Sequence, residues 1–170
     1  MRKSTYANVE GDDPRELAFE AIAEARPRRV LEVGGGEGEL AERVLNELGA
    51  ELVDLDRSLA ELARVLKPNG RLVPVTSSTE HFQELWKLAG AESPMSHVNF
   101  RSENGGEILE QHFEHVERRD ARGAMTMDPE TIRRFAESAE NLSAMVAVAE
   151  RGETVRVRTH SAVFVVEGPA

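Results

Sequence analysis

Three alternate glycines are the residues of this chain whose types and spacing point most directly to chemistry. Gly34, Gly36 and Gly38 follow the apolar run 30–33 and precede an amphipathic run that begins at Leu40. Glycine accepts positive φ and lets the backbone approach a ligand closely, and the first turn of a following helix offers free N–H groups to an anion. The pattern therefore predicts a loop that receives a carboxylate or a phosphate. A tight turn without a ligand is the alternative, but such a turn needs fewer glycines.

The spacing of these glycines also separates two kinds of cofactor loop. The dinucleotide fingerprint G-x-G-x-x-G would place its third glycine at position 39, where this chain has Glu39. A nicotinamide-binding protein is therefore disfavoured.

Helices and short apolar strands alternate around this loop. Strands are predicted over residues 30–33, 51–55, 71–75, 115–120 and 155–166. Helix starts are predicted at Asp13-Pro14, Leu40, Asp56, Ser78, Asn104 and Asp128-Pro129. This alternation predicts an α/β sheet with helices on both faces. The 170 residues predict a single domain over 1–170, with residues 1–12 as a loose lead-in.

Two segments are expected to supply much of the core. Phe82, Leu85, Trp86 and Ala89 share one face of a predicted helix. The last strand alternates apolar and polar residues and then becomes wholly apolar, which predicts a strand paired on both sides at its end.

The segment Glu32-Val-Gly34-Gly35-Gly36-Glu-Gly38 resembles the E-x-G-x-G-x-G loop of the class I S-adenosylmethionine-dependent methyltransferases. The segment 56–73, which contains the turn Pro68-Asn-Gly70, looks like the helix, Pro-Gly turn and fifth strand of that family. The later segment 80–86 and the long final strand are similar to small-molecule members. The resemblance thus extends over nearly the whole chain.

The resemblance implies a cofactor, S-adenosylmethionine, and a role for each matching residue. The backbone N–H groups of the loop would face the methionine moiety; the residues are Gly34, Gly35, Gly36 and Gly38. Glu32 would orient the amino group, and Asp54 or Asp56 would accept the ribose hydroxyls. Asp56 is equally well placed as a helix N-cap. Glu37 would oppose a ligand carboxylate through like-charge repulsion.

The chain departs from this family in length. About thirty residues separate Gly38 from Lys67, whereas the family's intervening four helices and three strands need on the order of 80 residues. The predicted fold is therefore a Rossmann-like methyltransferase sheet shortened to about five strands. Its order would be 2-1-5-7-6, with strand 5 beside strand 1 and helices on both faces.

The function implied by the resemblance is methyl transfer to a small-molecule acceptor. No catalytic residue is identified, although His81 and His97 are candidates for a general base, each with an ordinary exposed or hydrogen-bonded histidine as the alternative. The competing interpretation is an inactive methyltransferase remnant that serves as a scaffold, a cofactor-binding module or a dimerising module. A homodimer would cover apolar surface left by the missing elements.

Composition excludes several other classes. A formal net charge of −10 argues against a nucleic-acid partner, and no apolar run is long enough for a membrane span. Zero cysteines exclude thiolate chemistry and fit a cytoplasmic location. His112 and His115 lack further ligands, so no metal site is predicted. Ser77, Ser78 and Ser161 lack the context of a serine nucleophile.

Overall fold

A computed structural model describes residues 9–32, 44–48, 51–54, 62–64, 66–138 and 142–169. The strands are β1 (Glu10–Gly11), β2 (Arg29–Glu32), β3 (Glu51–Asp54), β4 (Arg71–Leu72), β5 (Val75–Ser77), β6 (Phe113–Met127) and β7 (Val155–Pro169). The α-helices are α1 (Pro14–Glu24), α2 (Gln83–Ala89), α3 (Gly105–Leu109), α4 (Pro129–Glu137) and α5 (Met145–Ala149). A π-helical segment covers Val44–Leu48 and a 3₁₀ turn covers Pro94–His97. The described residues therefore belong to the α/β class.

The larger sheet is open and antiparallel, with five strands. Its order is β1-β6-β7-β4, and β5 also pairs with β7. Leu72 lies opposite Val166 at the apolar end of β7. The prediction that the final strand is paired on both sides at its end is thereby confirmed.

The smaller sheet consists of β2 and β3, which run parallel. The predicted single sheet with order 2-1-5-7-6 is not the arrangement of the described strands, which form two sheets, and the larger one is antiparallel. The sequence prediction failed here because an alternation of helices and strands does not fix strand direction. Antiparallel neighbours can also be joined through helices, as β6 and β7 are through α4 and α5.

The predicted loose lead-in contains a strand. Glu10 and Gly11 of β1 pair with Ala124 and Gly123 of β6. Gly11 has a φ of 112°, and a Cβ at this position would lie 2.5 Å from the carbonyl oxygen of Arg122. Glycine is therefore required where the chain leaves the sheet.

The contacts divide the chain into two compact units. Unit 1 comprises residues 1–13, 76–103 and 120–162, and unit 2 comprises residues 14–75, 104–119 and 163–170. In unit 1, α2, α4 and α5 pack with buried residues of β6 and β7 in one apolar cluster; it includes Phe82, Leu85, Trp86, Met125, Met127, Ile132, Met145, Val148 and Val157. The predicted core face of α2 is thus confirmed for Leu85 and Trp86, while Ala89 is half-buried against it. Phe82, predicted on the same helix face, is buried but lies directly before α2.

In unit 2 a second cluster holds α1 near β2. Phe19 and Val44 are buried, and Ile22, Ala23, Val30 and Leu48 pack against them. Among the described residues, no helix has the length and apolarity that crossing a membrane requires.

Candidate functional site

Two acidic residues lie side by side in register at the ends of the parallel strands in unit 2. The four pairs of β2 and β3 run from Arg29 opposite Glu51 to Glu32 opposite Asp54, with apolar pairs between them. Glu32 and Asp54 are the last residues of their strands. Ligands of open α/β sheets bind outside the carboxyl ends of parallel strands. The register therefore places both acidic positions at the end of the pair where a ligand would be expected.

Of the predicted cofactor-binding residues, only Glu32 and Asp54 fall within the described segments. Gly34, Gly35, Gly36, Gly38 and Asp56 lie outside them. Their predicted roles stay predictions.

An ion-pair network surrounds Arg71 in unit 2. The Arg71 guanidinium donates to the Glu167 carboxylate at 2.8 Å, to the carbonyl oxygen of Ala21 at 2.5 Å and to Glu24 at 3.2 Å. Arg119 also donates to Glu24, at 3.1 Å, and to Glu117, at 2.7 Å. These bonds connect α1 with β4, β6 and β7.

The arginines also change the ionisation of their partners. The hydrogen bond from Arg119 is the main reason why the pKa of Glu24 and the pKa of Glu117 are lowered. Both carboxylates therefore stay ionised at neutral pH, and the network is a structural one that fixes α1 relative to the strands.

The candidate base His81 is engaged with the backbone of β7 in unit 1. Its Nδ1 lies 3.1 Å from the amide nitrogen of His160 and 3.2 Å from the carbonyl oxygen of the same residue. Burial lowers the pKa of His81 to about 4, so the ring is neutral at pH 7. This is the hydrogen-bonded alternative given for His81, and it leaves Nδ1 committed to the fold.

The other candidate base, His97, is exposed. Its side chain is 77% exposed, and its Nε2 lies 3.6 Å from a carboxylate oxygen of Glu92. This is the exposed alternative given for His97.

One polar cluster of unit 1 was missed by the sequence reasoning. The Nε2 atom of His160 lies 2.7 Å from Oδ1 of Asp120, and its Nδ1 lies 4.0 Å from a Glu80 carboxylate oxygen. Asp120 and His160 are on β6 and β7, forty positions apart. No local motif links them, and only the pairing of the two strands brings them together.

The helix start predicted at Ser78 was wrong. The Ser78 hydroxyl donates to Glu103 at 2.6 Å and accepts from the amide of Glu80 at 3.0 Å. These bonds close a turn, and α2 begins only at Gln83. A serine that favours a helix N-cap favours such a turn for the same reason, because its hydroxyl bonds nearby backbone groups.

His112 and His115 do not lie on a helix. His112 precedes β6 and His115 lies within it, so the two do not share a helix face. Within the part of the chain that the structure describes, no cluster of histidine and carboxylate residues is suited to a metal ion.

Comparison with known proteins adds no assignment. No model of a known protein family matches this sequence, and no curated protein matches it.

Proposed function

We propose that this chain is a shortened class I methyltransferase-like domain that binds S-adenosylmethionine and transfers its methyl group to a small molecule. The observation that carries the proposal is the register of Glu32 with Asp54 at the carboxyl ends of two parallel strands. Glu32 leads into the glycine loop that the resemblance assigns to the cofactor, and Asp54 lies two residues before Asp56, the other candidate for the ribose hydroxyls.

The two acidic positions favour this ligand over a phosphate ligand. Ionised carboxylates only accept hydrogen bonds. S-adenosylmethionine offers donors to both of them: an ammonium group for Glu32 and ribose hydroxyls for Asp54. A bare phosphate beside two carboxylates would be repelled. A nicotinamide cofactor also offers ribose hydroxyls to an acidic residue near a strand end, so the argument against that cofactor is the glycine spacing.

The strand neighbours of the larger sheet also support the proposal. The resemblance implies that the family's strands 5, 7 and 6 are neighbours in that order. The corresponding strands of this chain, β4, β7 and β6, are neighbours in the same order. In this proposal β3 and β2, which run parallel, would correspond to strands 2 and 1. In the proposed Rossmann-like fold the glycine loop follows β2.

Methyl transfer requires mainly an acceptor aligned with the sulfonium carbon. A dedicated general base is needed only for an acceptor that must lose a proton. The proposal therefore assigns no catalytic base to this chain. It places the protein in the cytoplasm, where the cofactor and small-molecule acceptors occur together.

Isothermal titration of the purified chain tests the binding step. We expect saturable micromolar binding of S-adenosylmethionine and S-adenosylhomocysteine, and none of NAD. The Asp54→Asn substitution should weaken the binding of both S-adenosyl compounds by about tenfold or more, because it removes one charge-assisted hydrogen-bonding group. Glu51→Gln is the matched control, because Glu51 lies at the opposite end of the same strand.

The two interpretations of the chain give different results. A folded protein that binds neither S-adenosyl compound would refute the proposal. If the chain binds S-adenosylmethionine but transfers no methyl group to any of a panel of small acceptors, the interpretation that remains is the cofactor-binding scaffold. If Asp54→Asn and Glu51→Gln lose the same amount of affinity, the ligand does not distinguish the two ends of β3.

A further inference from the structure

The turn 78–82 in unit 1 is attached to β7 by a short ladder of hydrogen bonds. The amide of Ser78 donates to the carbonyl of His160 at 3.0 Å, and the amide of Phe82 donates to the carbonyl of Arg158 at 2.9 Å. Between them, the amide of His160 donates to Nδ1 of His81 at 3.1 Å. A side-chain nitrogen thus takes the position that a backbone carbonyl would hold in an ordinary ladder.

This central bond depends on the protonation of His81. An unprotonated Nδ1 accepts from the amide of His160, whereas a protonated Nδ1 can only donate. The acceptor then nearest is the carbonyl oxygen of His160, at 3.2 Å, which already accepts from Ser78. Protonation therefore removes the acceptor of the His160 amide, while the carbonyl, which has two lone pairs, can accept from both Ser78 and Nδ1.

The turn also holds a residue in a strained conformation. Phe82 has a φ of 57° and a ψ of 29°, in the left-handed region, directly before α2. For a bulky residue this conformation costs on the order of 1–2 kcal/mol. The buried ring packs edge to face on Phe135, with the ring centroids 5.3 Å apart. The ladder and this packing together hold Phe82 in place, so loss of the ladder would favour its return to ordinary backbone angles.

Charged groups approach the turn from several elements. His160 on β7 opposes a positive charge on His81, and Asp120 on β6 and Glu80 of the turn both approach the His160 ring. On the α2 side, Glu84 receives hydrogen bonds from the amide and guanidinium of Arg158. Asp120 and Glu80 thus lie beside the His160 ring, and the imidazole of His81 contacts the β7 backbone.

We propose that His81 is an acid-sensitive latch: neutral, it holds the turn 78–82 on β7, and protonated, it releases the turn and lets Phe82 and the start of α2 rearrange. Glu80, Asp120 and His160 modulate the latch through their charges.

The direction of the pH effect follows from the pKa of His81. Burial lowers this pKa from 6.5 to about 4 in the attached state. The released state binds the proton more readily, so attachment is complete above about pH 6.5 and is lost as the pH falls towards 4. The ratio of released to attached turn should rise about tenfold between pH 7.5 and pH 5.5.

Native-state hydrogen exchange measured by NMR between pH 7.5 and pH 4.5 tests the latch. Protection factors, corrected for the intrinsic exchange rate, should fall for the amides of Ser78, Phe82 and His160. In His81→Asn the amide oxygen can occupy the place of Nδ1 without titrating, so these protection factors should hold over the whole range. His97→Asn, at an exposed histidine, should behave as the unaltered chain does.

Side-chain NMR of the unaltered protein decides the question even if a variant does not fold. We expect His81 to be neutral at pH 6, with Nδ1 unprotonated. A ring that titrates near its ordinary pKa while the three amides stay protected would refute the latch. The same acid-dependent loss of protection in His81→Asn would refute it too.

Discussion

The parallel pair β2–β3 and the antiparallel pair β6–β7 distribute polar residues differently. In β2 and β3, each four residues long, charged residues lie at the ends and apolar residues between them. In β6 and β7, each fifteen residues long, polar residues recur along the strands. A short apolar strand with charged ends can present one end to a ligand. In β7 the first residues alternate between exposed and buried, and residues 161–166 are all buried.

The two strand pairs therefore differ in their proposed roles: β6 and β7 form the scaffold, and β2 and β3 carry the proposed ligand contacts. The buried residues of β6 and β7 in unit 1 belong to the cluster that also contains the core faces of α2, α4 and α5. The proposed cofactor contacts lie instead on β2 and β3 in unit 2. This difference predicts that substitutions in the core of unit 1 lower the free energy of unfolding, whereas substitutions at Glu32 or Asp54 lower the affinity for S-adenosylmethionine.

The largest expected effect on stability is in the core of unit 1. Leu85→Ala removes a fully buried side chain of α2 and should lower the free energy of unfolding by about 2–5 kcal/mol. Urea titration followed by the fluorescence of Trp86, the chain's single tryptophan, measures this change. Leu88→Ala on the same helix is the control; Leu88 is only half-buried, so its loss should cost less. Equal costs would contradict the burial of the two leucines.

A smaller effect is expected at the ion-pair network of unit 2. Arg71→Met keeps much of the side-chain length but loses the donated bonds, including the one to the Ala21 carbonyl. It should cost about 1.5–3 kcal/mol in the free energy of unfolding, the usual range for a hydrogen bond to a charged group. Arg71→Lys keeps the charge without the planar fork and should recover part of the loss. If the Met and Lys variants are equally destabilised, the planar geometry of the Arg71 guanidinium, and not its charge, accounts for the stabilisation.

The smallest effect is expected at the end of α2. Gly90 has a φ of 64° and caps this helix with its N–H, and a Cβ there would meet open space. Gly90→Ala should therefore cost about 1 kcal/mol from backbone strain alone. Gly90→Asn should cost less, since asparagine tolerates the left-handed region better. Thermal unfolding of both variants measures the difference, and a neutral alanine would contradict the conformation of Gly90.

Local signals in the sequence predicted local structure well. Asp128 and Pro129 predicted the start of α4, and the Asp128 side chain accepts the amide of Thr131 at 2.7 Å as an N-cap does. Pro14 likewise begins α1, and Asn104 precedes α3. Capping and helix periodicity act within a few residues, so they can be read from a single chain.

Long-range features were beyond the sequence. The pairing of Asp120 with His160 requires knowledge of which strands are neighbours and in which direction they run. The attachment of His81 to β7 joins residues 79 positions apart. The acidic positions Glu32 and Asp54 could be proposed because each follows a recognisable strand, but their register depends on a pairing that no local pattern encodes.

The sheet order has a consequence for how the chain folds during synthesis. Arg71 of β4 and Glu167 of β7 are 96 positions apart, and β7 lies between β6 and β4 in the sheet. A ribosome therefore completes β4, β5 and β6 before β7, the strand with which each of them pairs, exists. Non-local pairing of this kind raises contact order and slows folding. We expect the larger sheet to be completed only after β7 has been synthesised, so that strand edges that pair with β7 stay unpaired until then.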